Sequence, residues 1–207
     1  MTKVDFKTAI PTYSAPRGRF EIVTVPASSF LMIDGHGDPN TSEQYRDALT
    51  TLYPVAYALK FLSKKDLDRD YVVMPLEALW WADDMESFTI ARDKSQWSWT
   101  AMILTPDWLT MEHLDAARAA VERKGGAPAL DAIRLETLDE GLAVQTLHIG
   151  SYDDEGPVLH EMHDGFIPAH GLRMTGRHHE IYLGDPRRTA PEKLRTILRQ
   201  PVVPVSR

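Results

Sequence analysis

Two glutamates stand where glutamate is disfavoured. Glu77 lies in Met74-Pro75-Leu76-Glu77-Ala78-Leu79-Trp80-Trp81 and Glu180 in His178-His179-Glu180-Ile181-Tyr182-Leu183, each among apolar residues of a strand-like run. Burying a carboxylate there without a partner is costly. A single such glutamate reads best as facing solvent from a sheet, but two at corresponding places make that reading less comfortable. A carboxylate in an apolar, aromatic wall is suited to pairing with a ligand cation or to acting as general base on a water. All five tryptophans fall between Trp80 and Trp108, and Trp97 and Trp99 share a strand face by their spacing. Any one indole reads as sheet core. Five in so short a stretch favour a surface for flat or cationic molecules beside a carboxylate.

Other chemistry is poorly provided for. The absence of cysteine removes thiolate chemistry, disulfides and Cys-ligated metal. His178-His179 is not a helical two-His metal signature, because adjacent residues of a strand face opposite sides. His160 and His163, three apart on a predicted helix, have no further ligand and are expected in solvent. Gly35-His36-Gly37 lacks the third glycine of a dinucleotide loop, so its glycines read as turn formers. No Gly-x-Ser-x-Gly elbow is present and no serine has an evident base. Covalent hydrolysis, a metal and a cofactor are therefore not expected.

The elements that must position the two glutamates occur in the same order twice. Leu31-Met32-Ile33-Asp34-Gly35-His36-Gly37-Asp38 and Thr146-Leu147-His148-Ile149-Gly150-Ser151-Tyr152-Asp153 are strands ending in a glycine turn. Each is followed by an amphipathic helical stretch and then by a Glu-bearing strand. In the first copy Asn40 or Thr41 would cap a helix presenting Tyr45, Ala48, Leu49, Leu52, Ala56 and Leu59 on one face. Pro54 then either kinks that helix or opens a second one. Tyr71 to Trp81 and Ser95 to Leu104 read as paired strands around Asp83-Asp84, and Thr110 caps a helix ending at Gly125-Gly126. Ile133 to Leu138 and Gly141 to Ile149 read as strands joined by a turn at Asp139-Glu140-Gly141. Asp153 or Asp154 would cap the second helix, with Pro157 early in it. Thr189-Ala190-Pro191-Glu192 has the form of a capping box for a short last helix ending before Pro201. A repeated unit creates a seam, and a seam readily holds a ligand.

Composition sets broad limits. A chain of 207 residues with 43% hydrophobic residues can bury a sizeable core. Its net charge of -7 argues against a nucleic-acid partner. No segment has the length of a membrane span and Met1 to Phe6 lacks the apolar run of a signal peptide, so a cytoplasmic setting away from membranes is expected.

Taken in order, several motifs resemble the stand-alone GyrI-like small-molecule-binding proteins. They are Ile33-Asp34-Gly35-x-Gly37-Asp38-Pro39-Asn40, Leu52-Tyr53 with Ala56-Tyr57-x-Leu59-Lys60-Phe61, Pro75-Leu76-Glu77-x-Leu79-Trp80-Trp81, Trp97-x-Trp99, His148-Ile149-Gly150-x-Tyr152-Asp153-Asp154-Glu155 and His179-Glu180-Ile181-Tyr182-Leu183-x-Asp185-Pro186. The resemblance implies an α+β fold of tandem strand-helix-strand-strand modules, pseudo-twofold, with a ligand cleft between them. The first module would span 20–104, a connecting helix and linker 105–131, and the second module 132–200, within one GyrI-like domain over 1–207. Relatives with this domain act as multidrug-sensing halves of transcription regulators, as a gyrase inhibitor, and as hydrolases that open the cyclopropane of DNA-alkylating natural products. The family's pocket glutamate falls on Glu180, with Tyr152 and Tyr182 beside it in the catalytic role. Tyr53, Tyr57, Glu77, Trp80, Trp81, Trp97, Trp99 and His148 fall among the ligand-binding positions. The expected partner is a hydrophobic, aromatic or cationic small molecule, bound or hydrolysed without metal or cofactor. A non-catalytic multidrug-binding module and a protein inhibitor of the gyrase-inhibitor type are the rival readings. The N-terminal stretch is too short and broken for a helix-turn-helix, which speaks against a regulator.

Overall fold

The computed structural model describes residues 2–83 and 93–205. Asp84, half of the acidic turn expected after Trp81, lies outside them. The chain divides into two compact units. The first holds the N-terminal segment to Ile10 together with Ser28–Leu138; the second holds Pro11–Ala27 and the chain from Asp139 onward.

In the first unit β3 (Ser28–His36) leads through α2 (Glu43–Asp66) to β5 (Glu77–Trp81) and β6 (Ser98–Thr105), then through α3 (Met111–Glu122) to β7 (Arg134–Leu138). The strands are antiparallel, in the order β5-β6-β3-β7. A small parallel pair, β1 (Lys3–Val4) with β4 (Asp70–Tyr71), stands apart, with α1 (Phe6–Ala9) after β1. Helix α2 buries Ala48, Leu52, Val55, Ala56 and Leu59, a stripe at helical spacing. Its N-cap is Ser42, whose Oγ accepts from Tyr45 N at 3.3 Å, rather than Asn40 or Thr41. Pro54 lies inside one continuous 24-residue helix. Pro54 and Thr50, whose carbonyl the missing N–H leaves unpaired, are both exposed, so water can serve that carbonyl.

In the second unit β8 (Gly141–Ile149) leads through α4 (Gly156–His160), a π-helical turn (Glu161–Phe166) and α5 (Ile167–Ala169) to β9 (Leu172–Met174), β10 (His178–Tyr182) and β11 (Arg195–Pro204). With β2 (Glu21–Val25) the sheet runs β2-β8-β11-β10, antiparallel throughout, and β9 pairs with the far end of β11. Its apolar core gathers Val144, Met162, Ile167, Leu172, Leu198 and Val202. Each unit therefore has the same chain order, strand-helix-strand-strand, and the same spatial order, β5-β6-β3 in one and β10-β11-β8 in the other. This is the α+β fold expected.

One expectation is corrected. The last segment is a strand, β11, and the Thr189–Glu192 pattern yields only a 3-10 turn over Pro191–Lys193. The reason is burial on both faces: Thr196 to Val202 are all buried, so no alternation betrays the strand. The strands read over 133–138 and 141–149 are both present; β7 pairs with β3, while β8 lies between β2 and β11. Among the described residues no helix is long and apolar enough to cross a membrane.

Candidate functional site

Strand β10 carries the chemistry of the second unit. Alternation puts His178, Glu180 and Tyr182 on one face and His179 and Ile181 on the other. Tyr182 Oη donates to Glu180 Oε2 at 2.7 Å. The opposite carboxylate oxygen, Oε1, lies 3.6 Å from His178 Nε2, and the Glu180 side chain keeps 14% of its surface exposed. Tyr152 reaches the same group from the turn after β8, its ring 5.5 Å from that of Tyr182 and at 72° to it. That turn is held by Ser151 Oγ donating to Asp154 Oδ2 at 2.7 Å. His148 supports it from below: the ring is buried and its Nε2 lies 3.1 Å from Ser151 O. A Cβ on Gly150 would come within 2.9 Å of that same Nε2, so glycine lets the turn close over the imidazole.

The inward face of β10 holds a polar group that the sequence did not disclose. His179 Nδ1 lies 3.0 Å from Glu140, and Arg199 Nη1 donates to Glu140 Oε2 at 2.9 Å, all three side chains being essentially buried. Arg199 also donates to Gln145 Oε1 and to the Thr12 carbonyl. Burial alone would raise the Glu140 carboxyl, but His179 and Arg199 outweigh it and hold it down to about 2. Glu140 lies in the turn where it was read and also anchors a buried polar group with His179 and Arg199.

His163 is also placed differently from expectation. It is half-buried rather than solvated, its ring centroid 5.9 Å from that of His178. Burial, then the neighbouring His178, press it down to about 4. His160 is the solvated one, paired with Asp164 at 2.7 Å. Among the described residues no three His, Asp or Glu side chains converge as a metal set.

The first unit gathers the aromatic residues. Trp80 and Trp99 are cross-strand partners on β5 and β6, and both are buried. Tyr45 of α2 meets the Trp99 ring edge-on at 4.9 Å and lies 6.1 Å from Trp80. Trp97 joins at 5.7 Å from Trp80, with Lys94 Nζ 5.7 Å from its centroid. The Trp99 indole lies directly over Gly35, where an added Cβ would be 2.2 Å from the ring. Gly35 is thus a strand residue making room for a tryptophan, not a turn former; only Gly37, with φ 98°, has the turn conformation. Glu77 is fully buried on the other face of β5, the face that also carries Trp81. Tyr53 is half-buried, whereas Tyr57 is 48% exposed and packs beside the exposed Phe61. Trp108 belongs elsewhere, with Phe6, Tyr71 and Arg69. The structure therefore brings Glu180, Tyr182 and Tyr152 together in one unit and Trp80, Trp97 and Trp99 together in the other, with Tyr45 as the member of the aromatic group that sequence reasoning left in the core stripe of its helix.

An α+β domain built of two strand-helix-strand-strand units, one with a cluster of aromatic rings and one with a Glu-Tyr-His cluster, defines the class. Residues 19–203 match the GyrI-like small-molecule-binding domain, and the chain belongs to that family. Three solved proteins of Listeria innocua are similar over nearly the whole chain. An uncharacterized conserved protein shares 39% identity with a TM-score of 0.88, over 97% of this chain and all of its own. A hydrolase shares 38% with a TM-score of 0.83, over the same shares. A second hydrolase structure gives 37% and 0.85, over 98% of this chain and 100% of that one. No curated protein matches the chain.

Proposed function

We propose that this GyrI-like protein captures a hydrophobic, aromatic or cationic small molecule and adds water to it, with Glu180 as the base and a strained electrophilic ring such as a cyclopropane as the reacting group. The observation that carries the reading is the Glu180 carboxylate, mostly buried yet still in reach of solvent, oriented by the Tyr182 hydroxyl at 2.7 Å and flanked by the Tyr152 ring. Glu180 removes a proton from water as the water oxygen bonds to the ring carbon. The breaking carbon–carbon bond leaves its electron pair on the conjugated acceptor of the substrate. Tyr152, 36% exposed, donates a hydrogen bond to the oxyanion that develops there. The similarity to the two hydrolase structures supports this direction. The aromatic group of Tyr45, Trp80 and Trp97 supports binding of a flat ligand.

The test incubates wild type and Glu180→Gln with a cyclopropane-bearing alkylator and looks for the hydrated product by mass spectrometry. Glu180→Gln should lower kcat by about 10²- to 10⁴-fold while leaving affinity for a neutral substrate within a few-fold, since a general base works mainly in the transition state. A wild-type protein that binds the compound and returns it unchanged is a non-catalytic multidrug-binding module, the reading that the aromatic group alone would favour.

A further inference from the structure

The row of titratable side chains does not stop at the carboxylate. On the face of β10 that bears Glu180 and Tyr182, His178 precedes them with 13% of its side chain exposed and Nε2 3.6 Å from Glu180 Oε1. Neither ring nitrogen of His178 has a hydrogen-bond partner, and Nε2 of His163 is buried without one as well. Buried polar atoms are rarely left so, because each forfeits its bond to water. The same strand shows the ordinary solution one residue on, where His179 is bonded to Glu140. His163 is brought opposite His178 by the π-helical turn between α4 and α5, a widening that recurs at functional sites.

We infer that His178 is a positioning residue for Glu180, receiving at Nε2 the proton that the carboxylate takes from water. The inference rests on the reading of Glu180 as base. Water gives its proton to Glu180 Oε1 as its oxygen bonds to carbon; the proton then passes to His178 Nε2, and the carboxylate is restored before the product leaves. The imidazolium loses its proton to solvent, the product anion takes one from solvent, and the sum is addition of one water. The 3.6 Å separation has to close to hydrogen-bond length, as catalytic contacts in unliganded sites commonly do. Among the described residues, Glu180 on the same strand lies 3.6 Å from His178 and His163 faces its ring from the π-helical turn. Asp164, next to His163, is engaged by His160. His163, held neutral above about 4, neither competes for the proton nor repels it.

Two measurements decide the matter. The first needs no substrate: ring-nitrogen NMR of the full chain labelled in histidine, comparing wild type with Glu180→Gln, with His178→Gln assigning the signals. Glu180→Gln should move the His178 ring signals and leave those of the exposed His170, stacked on Phe166, unmoved. The second is turnover of the cyclopropane-bearing alkylator. His178→Ala should lower kcat by tenfold or more with KM within about twofold, and imidazole added to the buffer should restore part of the rate, which a merely structural role would not allow. Wild-type turnover with unmoved His178 signals, or with no rescue of a folded His178→Ala, overturns the relay alone. Absence of wild-type turnover removes the hydrolytic reading and the relay with it.

Discussion

Gly35→Ala is the substitution whose consequence the structure states most directly. The new Cβ would lie 2.2 Å from Cη2 and Cζ2 of Trp99 and 2.8 Å from Cε2. Non-bonded carbons prefer about 3.5 Å or more, so something must yield by about 1.3 Å. The indole has little room to retreat, for it is fully buried and Tyr45 meets it edge-on at 4.9 Å. The backbone is tied to β6 at this point, Gly35 standing opposite Trp99 itself in the ladder, while the β7 pairing ends at Met32. Overpacking in a well-packed core typically costs 1–3 kcal/mol, and a site with both partners held should lie at or above the upper end, about 3 kcal/mol. In a protein of this size that is a fall in Tm of roughly 6–12 °C. Urea unfolding followed by tryptophan fluorescence, with calorimetry, measures it. The clash also predicts coupling: combined with Trp99→Leu, Gly35→Ala should cost at least about 1 kcal/mol less than it does alone. A Gly35→Ala protein within about 0.5 kcal/mol of wild type, or strictly additive behaviour of the pair, would refute the assignment of Gly35 to space rather than to turn conformation.

Two further outcomes follow from burial. Glu140 is ionised down to about 2 in the folded chain against an ordinary 4.5, so its contribution is present above 4.5 and is lost as pH falls from there towards 2. Glu140→Gln should flatten that acid limb of the stability curve and, by leaving Arg199 short of its counter-charge, cost about 3–5 kcal/mol at pH 7; denaturant titrations across pH 3–7 check both. Tyr57→Ser and Phe61→Ser, by contrast, should change stability by no more than about 0.5 kcal/mol each in the same titrations, because both rings are largely exposed on α2.

What could be read from the chain, and what could not, divides along a physical line. The core stripe of α2 was legible because a helix buried on one side repeats its apolar residues every three or four positions. The Glu-bearing strands β5 and β10 were legible for the opposite reason, a polar residue standing out against an apolar run. Strand β11 was not, since burial on both faces erases alternation and Pro201 argued for a break; the proline is accommodated where β8 pairing ends and β9 pairing begins. The role of Glu140 was hidden because a turn glutamate and a buried ion-pair glutamate have the same local sequence, and only the fold brings His179 and Arg199 to it. Gly35 shows the same limit in reverse. Two glycines one residue apart look alike in sequence, yet Gly37 is required by its own φ and Gly35 by an indole more than sixty positions away. Local periodicity thus reports which residues are buried, whereas partner choice is decided by long-range pairing. The candidate site follows that division: Glu180 and Tyr182, two apart on one strand, could be joined on paper, while His163 could be joined to His178 only once the π-helical turn was seen to carry it there.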